Sequence, residues 1–79
     1  MKTHYKFIYF IKVKDKPKTS IWHCLSESSH AILGIIKWYG NWRQYCFFPE
    51  PHTIFNVGCL EDINSFIKDL AKERSDHGR

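Results

Sequence analysis

Cys24, Cys46 and Cys59, with His23 and His52, are the residues of this 79-residue chain best suited by type to ligate a metal or to pair a nucleophile with a base. Their spacing supports neither. Zinc sites draw ligands from Cys or His pairs a few residues apart, whereas His23 and Cys24 are adjacent and would point to opposite faces of a strand. Cys46 falls in a strand-like stretch, where a thiol packs as a small hydrophobe. Cys59 stands alone near a helix start, with no base placed beside it by the sequence. Glu50, Glu61 and Asp62 could form a carboxylate pair, but loop-end and helix-dipole charges account for them more simply. The sequence therefore gives no catalytic residue, no metal ligand set and no cofactor site, and the expectation is a protein that is not an enzyme. Three widely spaced cysteines, odd in number and without a Cys-x-x-Cys pair, also argue against a secreted disulfide framework and for the reducing cytoplasm.

What remains is a recognition surface. Residues 33–51 read Leu-Gly-Ile-Ile-Lys-Trp-Tyr-Gly-Asn-Trp-Arg-Gln-Tyr-Cys-Phe-Phe-Pro-Glu-Pro. Gly40-Asn41 suits a two-residue type II′ turn, with positive φ at the glycine. Directly opposed positions would then be Tyr39 and Trp42, Lys37 and Gln44, Ile35 and Cys46, and Leu33 and Phe48 on one face. The other face would pair Trp38 with Arg43, Ile36 with Tyr45, and Gly34 with Phe47. On both faces the aliphatic and phenyl groups lie away from the turn and the amphipathic ones near it. Leu33, Ile35, Ile36, Phe47 and Phe48 thus read as fold, and Lys37, Trp38, Tyr39, Trp42, Arg43 and Tyr45 as the candidate binding residues. Trp38 over Arg43 would form a cation–π pair, and Gly34 would leave room for the Phe47 ring. The plainer account is that these rings supply hydrophobic area to a small core; the sharper one rests on their being residue types favoured at protein interfaces and base-stacking surfaces.

The elements that position this hairpin follow from periodicity. Tyr5, Phe7, Tyr9, Ile11 and Val13 alternate with polar residues, a strand over 5–13 interrupted only by Ile8 and Phe10 on its polar side. Lys14-Asp15-Lys16-Pro17-Lys18 closes it as a charged loop. Thr19–Ser26 forms the second strand, the polar segment 26–30 a connection, Ala31–Tyr39 the third strand and Trp42–Phe48 the fourth. Prolines 49 and 51 end that strand. Leu60, Ile63, Phe66, Ile67 and Leu70 then form one helical stripe, with Glu61 and Asp62 in the first turn and Lys72 and Arg74 in the last. Residues 75–79 have nothing to bury and should fray. The fold expected is α+β: a four-stranded antiparallel sheet in the order β-β-β-β-α, with one C-terminal helix on one face, in a single domain spanning 1–79.

Composition fits this picture: 43% hydrophobic, 16% aromatic and a formal net charge of +4. So short a chain buries a small share of its surface, which favours a homodimer and exposed rings. The charge tilts the partner towards acidic surfaces or nucleic acid. The apolar run Phe7–Ile11 is too short for a membrane span and lacks a signal-peptide cleavage site, so no membrane association is expected.

The run Leu33-Gly34, Ile36-Lys37-Trp38-Tyr39, Trp42-Arg43-Gln44-Tyr45, Phe47 and Pro49, followed by Cys59-Leu60, Ile63 and Phe66 and preceded by Trp22, resembles a group of small uncharacterised proteins carried by phages, prophages and other mobile elements. The resemblance spans about Thr19 to Leu70. It brings no assigned activity, but it implies a setting in which small proteins block a host protein or sequester a nucleotide-like signal, an anti-defence role. The expected function is accordingly occlusion of a host or phage protein, or sequestration of a nucleotide-like ligand. The alternative is single-stranded nucleic-acid binding, with Trp38, Trp42 and Tyr45 stacking bases and Arg43 and the lysines of the first loop, including Lys12, holding the backbone.

Overall fold

The computed structural model describes the backbone of residues 1–77 and the side chains of residues 1–74. Four strands, β1 (Ile8–Asp15), β2 (Ser20–Ser26), β3 (Ile32–Tyr39) and β4 (Gln44–Pro49), form one antiparallel sheet in sequential order, followed by helix α1 (Val57–His77). This is the expected α+β architecture. The helix covers one face of the sheet.

Phe66 is the centre of that contact. It has no exposed surface, stacks on Phe10 with ring centres 3.9 Å apart and planes 7° from parallel, and meets Trp22 edge-on at 5.0 Å. Around it the sheet supplies Ile8, Cys24, Ile36 and Tyr45, and the helix supplies Cys59, Ile63 and Leu70.

The helix lies on the side of β1 opposite to that suggested by the odd-numbered stripe. Ile8 and Phe10 are in the core, while Ile11 and Val13 are each 47% exposed. β1 is apolar on both sides, so its own pattern does not choose a face. The register does: Phe10 lies opposite Cys24 and Ile11 opposite His23, and the side bearing Trp22, Cys24 and Ile36 can be dried without stranding His23 or Lys37 away from water. Ile35 and Phe48, read as fold, sit on the uncovered side and are only partly buried. Leu33, expected beside them, packs against the core, where the sheet register shifts between Cys24 and Leu25.

Three further differences concern element ends. The β3–β4 connection is a four-residue turn, 40–43, rather than a two-residue one. The Trp42 amide donates to the Tyr39 carbonyl and the Arg43 amide to the Gly40 carbonyl, both at 3.2 Å. The left-handed residue is Arg43, at φ 54°, and Gly40 has no positive φ, as in longer hairpin loops built on a type I turn. The register accordingly slips by two residues: Trp38 faces Tyr45, Ile36 faces Phe47, Lys37 faces Cys46 and Tyr39 faces Gln44. An even slip leaves the paired side chains from Gly34 to Tyr39 and from Gln44 to Pro49 on their expected faces.

Helix α1 begins at Val57, three residues ahead of the apolar stripe, because Asn56 caps it: its Oδ1 accepts the Cys59 amide at 2.8 Å. No acidic residue lies in the first turn, so Glu61 and Asp62 belong to the next. Leu60 is 53% exposed and Cys59 takes its place on the buried stripe. The helix continues to His77, and the last two residues of the expected frayed tail, 78 and 79, lie outside the described residues.

Gly34 does receive the Phe47 ring. A Cβ built there would stand 2.5 Å from Phe47 ring atoms and 2.8 Å from the Phe48 carbonyl oxygen, although the residue directly opposite is Pro49.

Phe66→Ala is expected to lower the free energy of unfolding by about 3–5 kcal/mol, measured from urea denaturation midpoints, since it removes a ring shared by helix and sheet.

Candidate functional site

A four-stranded meander sends the β1–β2 loop and the β3–β4 turn to the same end of the sheet. The six candidate residues all lie towards that end, divided between two faces. Lys37, Tyr39 and Trp42 belong with the uncovered face: Tyr39 meets Trp42 edge-on at 5.1 Å and Phe48 at 6.1 Å, and Lys37 Nζ lies 4.9 Å from the Phe48 ring centre. Trp42 is 67% exposed. Arg43 is exposed in the turn.

Trp38 and Tyr45 belong with the helix side. Their rings meet edge-on at 5.5 Å. Tyr45 is buried, and its hydroxyl accepts the Ser20 amide at 3.1 Å. The cation over Trp38 is Arg74, whose guanidinium carbon is 4.0 Å from the ring centre, not Arg43. The two-residue slip leaves Arg43 in the turn and brings Tyr45 opposite Trp38. Since Tyr45 is buried and one face of Trp38 carries Arg74, the three rings expected to stack bases do not form one platform; Trp42 stands apart.

The uncovered face extends further than the hairpin. Tyr9 lies opposite Leu25, Ile11 opposite His23, His23 opposite Ile35, and Ile35 opposite Phe48. Past the irregularity between Lys12 and Lys14, Lys14 faces Ile21. These residues form an apolar band across all four strands, with Lys14, Lys37 and Arg43 along its turn-side margin. Four strands about 4.8 Å apart and about six residues long give the whole face roughly 400 Å², of which the apolar band is a part. Ile11, Ile35 and Phe48 were outside the sequence-derived site. The signal for them was β1, β3 and the end of β4 being apolar at odd and even positions alike.

The thiols have different surroundings. Cys24 and Cys59 are buried in the core, and Cys46 is half-buried on the uncovered face opposite Lys37. Burial, and secondarily the neighbouring Cys59, pushes the Cys24 thiol up to about 12. Tyr5 is also raised, by burial first and then by Asp69 and Asp62; its hydroxyl is buried and has no hydrogen-bond partner among the described residues. His23 and Cys24 do lie on opposite faces, and among the described residues no three His, Cys, Asp or Glu side chains converge as metal ligands would. No helix among the described residues is long and apolar enough to cross a membrane.

This geometry defines a small α+β protein with one sheet face packed and the other open. The chain is 34% identical over 70 residues to the "Uncharacterized 9.3 kDa protein" of Acholeplasma phage L2, an alignment covering 87% of this chain and 90% of that protein. It belongs to that family of small phage proteins. No family model matches the chain, and no solved structure matches it.

At pH 8 in the folded protein, Cys46 is expected to react with an aromatic disulfide reagent well before Cys24, which reacts only on unfolding; mass spectrometry of the labelled peptides reads the order. Unfolded Cys24 ionises near 9, whereas the folded thiol keeps its proton to about 12. Between those values the unfolded state binds fewer protons, so the contribution of Cys24 to stability is constant below about pH 9 and falls as pH rises above it. Chemical denaturation of Cys24→Ala beside the wild type should show a shallower alkaline loss in the variant.

Proposed function

We propose that this protein is a non-enzymatic binding domain that acts by occlusion, laying the open sheet face and the turn beside it against a host protein, in an anti-defence role. The observation that carries this reading is the apolar band from Ile11 to Phe48, extended at the turn by a tryptophan that is 67% exposed. A single helix leaves that band uncovered, and tryptophan, tyrosine and arginine at its end are the residue types that dominate binding energy. The partner surface that fits is apolar with carboxylates along one margin, opposite Lys14, Lys37 and Arg43. Tyr39 and Phe48 brace the Trp42 end of the band, which reduces the side-chain ordering needed on binding.

A second reading, single-stranded nucleic-acid binding, is favoured by one observation: the lysines of the β1–β2 loop and Arg43 project from the same end. Trp42 would be its only free stacking ring among Trp38, Trp42 and Tyr45.

Trp42→Ala and Ile11→Glu, both at exposed positions, are expected to weaken capture of a host protein from lysate by about 2 kcal/mol or more each, roughly thirtyfold, with the urea midpoint retained. Capture unaffected by either variant would remove the open face from the reading. A homodimer broken by Ile11→Glu in sedimentation would assign the face to a second copy instead. Oligonucleotide binding with a steep salt dependence would favour the second reading.

A further inference from the structure

On the helix side of the same end, the β1–β2 loop and the last turns of α1 border a cavity of about 340 Å³ that is open to solvent. Its walls carry Lys12, Lys16 and Lys18 from the sheet and loop and Arg74 from the helix, with Asp15 and Glu73 also present, a formal balance of +2. Asp15 is engaged by Lys12 at 3.6 Å.

Thr19, Ser20 and Tyr45 bring hydroxyls to the cavity wall, and the last two each accept a hydrogen bond from the protein. Tyr45 Oη accepts the Ser20 amide, and Ser20 Oγ accepts the Trp22 indole N–H at 2.8 Å. Each can still donate its own proton. Arg74 carries a buried donor on the cavity wall. Its guanidinium carbon lies 4.0 Å from the Trp38 ring centre, while its Nε is buried and has no acceptor among the described residues. A buried charged donor without an acceptor is costly, and such groups mark missing partners. Contact with the ring restrains the side chain, so an anion entering the cavity would meet a guanidinium already held at its wall.

We propose that this cavity binds a phosphate monoester. A doubly charged, acceptor-rich group matches the surplus of two positive charges and the donor-rich lining. The volume lies at the lower end of small-molecule sites, about 300–1,000 Å³, leaving space for an organic substituent beside the phosphate. The carboxyl end of α1 opposes an anion, and the four cations outweigh it. The cavity is on the opposite face of the sheet from the apolar band, so the two surfaces can be occupied independently. The phosphate could belong to a free nucleotide or to the end of a nucleic-acid chain.

The test is calorimetric titration of the full chain at constant ionic strength with inorganic phosphate, adenosine 5′-monophosphate, and a short oligonucleotide with and without a 5′-phosphate. Saturable binding of a monoester is expected, weakened at least tenfold by Arg74→Gln and by the exposed-loop variant Lys16→Ala/Lys18→Ala, and unchanged by Lys68→Ala on the helix surface. Preference for the monophosphate assigns a free nucleotide, and preference for the phosphorylated over the unphosphorylated oligonucleotide assigns a chain end; both support the phosphate site. No saturable binding at millimolar concentration, or binding insensitive to the double lysine variant, overturns it. The double variant leaves the packed core untouched, so a misfolded Arg74→Gln would not decide the question.

Discussion

The helix is held to the sheet through the Phe66 ring, which stacks on β1 through Phe10 and meets β2 edge-on through Trp22. A domain of this size has little other interior with which to fix the helix. Those two contacts decide which sheet face is dry, and hence which face stays open. They also set the helix rotation. Cys59, Ile63, Phe66 and Leu70 form a buried stripe, and the next residue at that spacing is Arg74. The stripe that begins as core therefore ends in a cation resting on Trp38.

The two candidate surfaces are consequences of the same packing. One exists because the helix does not cover the sheet's second side. The other exists because the helix runs past the end of the apolar core and meets the basic β1–β2 loop. Neither needs an inserted loop or a second domain. The alignment with the Acholeplasma phage L2 protein extends over 70 residues, so the family likeness takes in most of the fold and is not confined to one hairpin.

Local signals placed the elements well. Alternation located the first strand, though it runs Ile8–Asp15 rather than 5–13 and takes in two residues read as loop. Turn and polar segments bounded the next three, prolines closed the last of them, and a three–four spacing located the helix. The inaccuracies arose where competing local solutions differ little in energy. Gly40-Asn41 can form a two-residue turn, but the chain instead places Arg43 in the left-handed conformation and adds two residues to the loop. Because side chains alternate with a period of two, that slip changed the partners of Trp38 and Lys37 without changing their faces. The face of β1 could not be read from β1, since Ile8 and Phe10 are as apolar as Tyr9 and Ile11; it is chosen by Trp22 and Ile36 on other strands. Arg74 looked like a helix-dipole charge because its link to Trp38 joins residues 36 apart in sequence.

The strand order has a temporal side as well. Every strand pairs with its neighbour in the chain, so the sheet can assemble by successive short loop closures, the kind of topology that folds quickly. The helix is made last, and until it docks, Phe10, Trp22 and Ile36 lie bare opposite an already apolar second side. A sheet that closed its last hairpin before Phe66 arrived would be apolar on both sides, so that interval is where the chain would be most open to aggregation.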